Sequence, residues 1–254
     1  MRSAGSDKPA AQPDTYSEAM SEHPEQSEHP ATPSSHLPAV PPVVDREAFQ
    51  QALDAQVVKE KEHTRAGDRL AAARRRLPMV EVEDYEFNGP DGPVRLSELF
   101  GEHDLLMAQH FMFGPEWETG CPSCTWATDV LPAHMDRLDE ASISFAMISR
   151  APVEKLQAYR AERGWDHLWV SSGDTTFHTD WGWTLTDPEG YTGPVPGYSY
   201  YLRRDGKVYL TYSTGARGVE PILGLVNMQD RTVYGRQQDW EDSPEGWPQH
   251  PTYG

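Results

Sequence analysis

Residues 104–124 read DLLMAQHFMFGPEWETGCPSC. The first part is a run of apolar side chains interrupted only by Gln109 and His110. A strand buried on both faces reads this way. A loop rich in tryptophan and acid follows, and then the only two cysteines of the chain, Cys121 and Cys124. Pro122 suits the first position of a helix, and TWATDVLPAHMDRLDE continues it, with a kink expected at Pro132. The pair therefore falls after a buried strand and at a helix N-terminus. There the free N–H groups and partial positive charge favour a thiolate. Cys121 is read as the exposed nucleophile and Cys124, one turn in, as the resolving thiol.

Working outward, ASISFAMISRA is a second apolar strand, and VEKLQAYRAERG is a helix started by Pro152 and closed by Gly164. HLWVSSG reads as a third parallel strand. YSYYLRRDGKVYLTYS is a hairpin around RDGK, and GVEPILGLVNMQ a final helix. Upstream, two short strands flank GPDGP. The alternation predicts an α/β fold of thioredoxin-like layout, a central mixed sheet flanked by helices. Such a fold holds a cis-proline opposite its dithiol, just before the hairpin. Pro196 stands in that place and joins the two cysteines as a candidate catalytic residue.

The domain boundaries follow composition. Residues 1–43 are nearly all Pro, Ser, Glu, His, Ala and Asp and predict a disordered tail. Residues 44–78 predict a long helix capped by Asp45 and ending before Pro78. Its modest apolar stripe, Phe49, Ala52, Leu53, Val57 and Leu70, would pack on the body or join two copies into a homodimer. Residues 79–235 form the thioredoxin-like domain, and 236–254 an extended C-terminal segment.

The net charge of −18 excludes attraction to nucleic acid or anionic lipid. MRSAGSDKPA lacks the apolar core of a secretory signal, and no run approaches a membrane span. A soluble cytoplasmic protein is expected, and in a reducing compartment a lone cysteine pair points to catalysis or metal binding. Neither GxGxxG nor GxxxxGK occurs, so no nucleotide cofactor is implied.

Glu116 and Glu118 would raise a thiolate pKa if they stood close to it. Trp117 and Trp126 could stack on a substrate. A peroxiredoxin-type PxxxTxxC frame fails by one residue, because Cys121 comes two positions after Thr119. Two thiolates with imidazole would also suit copper better than zinc, which would want four ligands. That alternative enlists Cys121, Cys124, His110, His134 and His178 in a copper-dependent redox enzyme or carrier. For His110 a core position held by hydrogen bonds is the plainer expectation, and for His178 a solvated surface.

The strings HFMFGPEWETGCPSC, ISRAPVEKLQAYRAERGW, WVSSG and TYSTGARG resemble a bacterial thioredoxin-like family catalogued as a domain of unknown function. The resemblance runs from about residue 45 to HPTY. It implies a thioredoxin-like fold, places a dithiol at Cys121 and Cys124 and a histidine at His110, and sets Arg150 in its SRAP string as a substrate-binding candidate. After WVSSG the chain departs from the pattern: Phe177-His178-Thr179-Asp180 stands where the family carries Phe-Asn-any-Asp. The expected activity is dithiol–disulfide oxidoreduction on a small-molecule or protein thiol or disulfide, with no cofactor.

Overall fold

In the computed structural model, residues 39–131, 135–186 and 192–250 are described. The predicted tail falls almost wholly outside them, as do Pro132 and His134. Asp45 accepts a hydrogen bond from the Ala48 N–H at 2.8 Å and caps α1 (Arg46–Arg74). No residue of α1 is buried, and Leu70 is 61% exposed. The expected packing of its stripe on the body is therefore corrected. The stripe is too thin and too broken by charge to repay docking, and at the end of the helix Arg74 lies over the Tyr212 ring, 5.5 Å from its centroid.

Among the described residues ten strands and five further α-helices follow. β1 (Val80–Val82), β2 (Glu86–Gly89) and β3 (Gly92–Arg95) precede β4 (Leu105–His110). Then come α2 (Pro122–Asp129), α3 (Asp136–Asp139), β5 (Ile143–Ser149), α4 (Val153–Arg163), β6 (Leu168–Ser171) and α5 (Phe177–Asp180). β7 (Thr184–Thr186) and β8 (Thr192–Pro194) pair with each other, and β9 (Gly197–Arg204), β10 (Lys207–Gly215) and α6 (Gly224–Gln229) end the domain.

The main sheet runs β1-β10-β9-β4-β5-β6-β2-β3. β4, β5 and β6 are parallel and joined by helices, as parallel neighbours require. β9 lies antiparallel against β4 and pairs with β10 through the Asp205-Gly206 turn. Both turn residues have positive φ, 53° and 74°, the twist that a two-residue hairpin loop needs. This is a thioredoxin-like fold, with the dithiol loop after the central strand β4.

Strand alternation divides the core. Leu106 and Ala108 of β4 pack with Ile148 and Phe177 on one face. Phe111, Met147 and Trp169 pack with both cysteines on the other. Arg236 ties the C-terminal segment down through Glu220, Asp230 and Glu241. Among the described residues no helix is long and apolar enough to cross a membrane.

Candidate functional site

The local sequence builds the start of α2. Cys121 is its N-cap and Pro122 opens its first turn. The Cys121 N–H donates to the Met112 carbonyl at 3.0 Å, which ties the dithiol back to the end of the central strand. Gly120 must be small here: a Cβ would stand 2.7 Å from the Phe111 ring. Thr125 donates to the Cys121 carbonyl at 2.9 Å and also bonds the Tyr159 hydroxyl of α4. Both cysteines are free, and at 7% and 4% exposed both are buried; the expected exposure of Cys121 is therefore corrected, because the loop before α2 folds back on Met112 and packs the N-cap into the core cluster.

The two thiols are electrically unequal. Hydrogen bonding from Cys124, with help from the N–H groups of Cys124 and Ser123, outweighs burial and lowers the Cys121 pKa to about 6. Cys124 is raised well above the usual thiol value by the same bond and by burial. Glu116 and Glu118 are exposed and are not among the groups acting on either thiol. Cys121 is thus the sulfur that is anionic at neutral pH, and its neighbour keeps its proton.

The residues on either side of Cys121, Gly120 and Pro122, line a cleft of about 410 Å³ together with Thr119, Trp126, Tyr159 and Arg163, and Cys121 lies behind its wall. Trp126 is 40% exposed and forms part of its wall. Trp117 instead packs against the core cluster that holds the thiols. Arg150 lines a separate cleft of about 630 Å³ with Asn88, Pro115, Glu154 and Asp174. The three substrate-binding candidates therefore do not share one surface.

Pro196 precedes β9, whose first residue Gly197 pairs with His110. Among the described residues no peptide bond is cis, which corrects the expected cis-proline. The chain passes from β8 into β9 through Val195, whose N–H donates to the Trp183 carbonyl at 3.0 Å. That extended path accommodates a trans bond.

Of the candidate copper histidines, the two that are described, His110 and His178, do not converge on the thiols. His110 follows Gln109 on β4 and therefore points to the opposite face of the sheet from α2. It stacks on Trp183 at 3.8 Å between centroids, and its Nε2 bonds Ser199 Oγ at 2.8 Å. His178 is buried on α5 beside it, bonded through Nδ1 to Ser172. The expected solvated position of His178 is corrected: Phe177 enters the core, and the short helix carries the imidazole in with it. Burial holds both imidazoles neutral, His178 down to about 3. Among the described residues no three His, Cys, Asp or Glu side chains come together to hold a metal, and His134 lies outside them. The described donor set does not fit copper held by two thiolates and imidazole.

Sequence reasoning passed over three groups where α2 meets the sheet, Gln109, Thr128 and Tyr198. Gln109 Nε2 donates to Thr128 Oγ1 at 3.1 Å, and Thr128 donates to the Cys124 carbonyl at 2.9 Å. Tyr198 of β9 lies opposite Gln109 on the same face. The only local signal was the amide of Gln109 inside an apolar strand.

Residues 38–253 match the family model described as "Bacterial protein of unknown function (DUF899)". No curated protein matches the chain. Among solved structures, the chain is similar to the peroxidoxin BcpB of Mycobacterium tuberculosis, with 18% identity and a TM-score of 0.45, over 60% of this chain and 97% of that one. It is also similar to the bacterioferritin comigratory protein of Xanthomonas campestris, with 14% identity and a TM-score of 0.44, over 57% of this chain and 90% of that one. At such identities and scores these likenesses carry no activity over to this chain.

Proposed function

The chain belongs to this bacterial family, and we propose that it is a dithiol–disulfide oxidoreductase working through Cys121 and Cys124. The observation that carries the reading is the inequality of the pair. A buried thiol one turn into α2 stabilises the thiolate at its N-cap, which leaves one sulfur ready to attack and one held in reserve.

In the first step the Cys121 thiolate attacks one sulfur of a disulfide substrate. The substrate S–S bond breaks, one thiolate leaves, and a mixed disulfide forms on Cys121. In the second step Cys124 loses its proton and attacks the Cys121 sulfur. The second substrate thiolate leaves, and Cys121 and Cys124 become a disulfide. Two electrons have passed from the protein dithiol to the substrate, and a small thiol or a partner dithiol restores the reduced pair. The open cleft beside Cys121, with Trp126 in its wall, admits a small disulfide or an exposed loop of a protein substrate.

The test uses reduced full-length protein and a disulfide substrate. Cys121→Ser abolishes turnover, and Cys124→Ser accumulates a mixed disulfide visible by intact mass. Full turnover in both variants overturns the reading.

A further inference from the structure

Tyr198 is the second residue of β9 and sits across from Gln109 of β4. Opposite residues of a sheet share a face, so its ring lies under α2. The Gln109–Thr128 bond and the Thr128–Cys124 bond fix the turn of α2 that carries Cys124 over that same face. The Tyr198 hydroxyl is fully enclosed, yet it has no hydrogen-bond partner among the described residues. A buried donor with no acceptor is uncommon and calls for a reason.

Cys124 supplies one. It must become an anion in the resolving step proposed above, inside a closed site. The groups acting on it are Cys121, burial, and the backbone at Met112; no cation or base is among them. A thiolate formed there needs a donor. We infer that Tyr198 is this donor: its free hydroxyl turns to Cys124 Sγ when that sulfur loses its proton, and holds the thiolate while it attacks the mixed disulfide. The inference rests on the dithiol reading. Cys124 is also the first charged group to act on Tyr198 after burial, and the phenol is pushed up so far that it stays protonated throughout. Tyr198 therefore gives a hydrogen bond and no proton. The Cys124 proton passes to solvent, and the departing thiolate leaves with the electron pair of the broken S–S bond.

The experiment is a single turnover of reduced full-length protein with one equivalent of a nitrobenzoate aromatic disulfide, whose thiolate is coloured. The two steps release one coloured thiolate each. Tyr198→Phe leaves the first release unchanged, slows the second about tenfold at neutral pH, and moves its pH midpoint up by about one unit. A second release with unchanged rate and midpoint overturns the inference. A variant that is less stable to heat when reduced, with an unshifted midpoint, assigns the hydroxyl to folding and overturns it too. A wild-type protein that gives only the first release brings down the dithiol reading itself, and the role of Tyr198 with it.

Discussion

His110 and Trp183 stack face to face, 3.8 Å apart between centroids and 16° from parallel, on the side of the sheet turned away from the thiols. This layer is a buried polar patch in its own right. It holds two neutral imidazoles, with His110 Nδ1 left without a partner among the described residues.

Acid should unfold the protein through that patch. Burial lowers both imidazole pKa values in the fold, with Arg150 adding to the effect at His178 and His178 at His110. The unfolded chain has ordinary histidines, near 6.5. Between that value and about 3 for His178, the unfolded state binds more protons, so stability is full above about 6.5 and falls as pH drops. Each histidine contributes a slope of up to about 1.4 kcal/mol per pH unit. Urea midpoints measured from pH 7.5 down to about 5 read this slope. His178→Asn flattens it and leaves Cys121 reactivity unchanged.

Gly197 should not tolerate a side chain. A Cβ there would lie 2.4 Å from the Trp183 ring and 2.5 Å from the Thr214 carbonyl oxygen, which is backbone and cannot swing aside. Gly197→Ala is expected to destabilise the fold by about 1–3 kcal/mol, the usual range for overpacking. Chemical denaturation gives the value directly, and an unchanged midpoint contradicts the packing described.

Alkylation of Cys121 should rise with pH about a midpoint near 6, below the ordinary thiol value of about 8.5. Cys124→Ala removes the leading donor to the thiolate and moves the midpoint up by about one unit or more. The pH profile of iodoacetamide modification, followed by mass on each variant, decides this.

Deleting residues 1–75 should change unfolding free energy by no more than about 2 kcal/mol. α1 buries no residue, the contact of Arg74 with the Tyr212 ring is worth about 0.5–1 kcal/mol, and the Ala39 N–H bond to the Gly246 carbonyl is worth about 1 kcal/mol. Thiol reactivity should be unaltered. Sedimentation of the full and shortened chains reports whether the exposed stripe of α1 joins two copies.

Much of the fold was legible in the sequence because its signals are local. The apolar run before GCPSC, the proline at the first turn of α2, the glycine that ends α4 in the left-handed conformation (φ 70°) and the Asp-Gly hairpin turn each act within a few residues. Only the tertiary structure decided what surrounds the pair. Alternation along β4 gives two faces, but the local pattern does not say which face α2 covers. Once α2 covers Gln109, His110 must turn away from the thiols. Tertiary structure also sets Tyr198, from a strand far along the chain, opposite Gln109, because β9 closes against β4 in a register that no local pattern encodes. The burial of His178 likewise follows from Phe177 filling the core, a contact made through packing rather than through sequence neighbours.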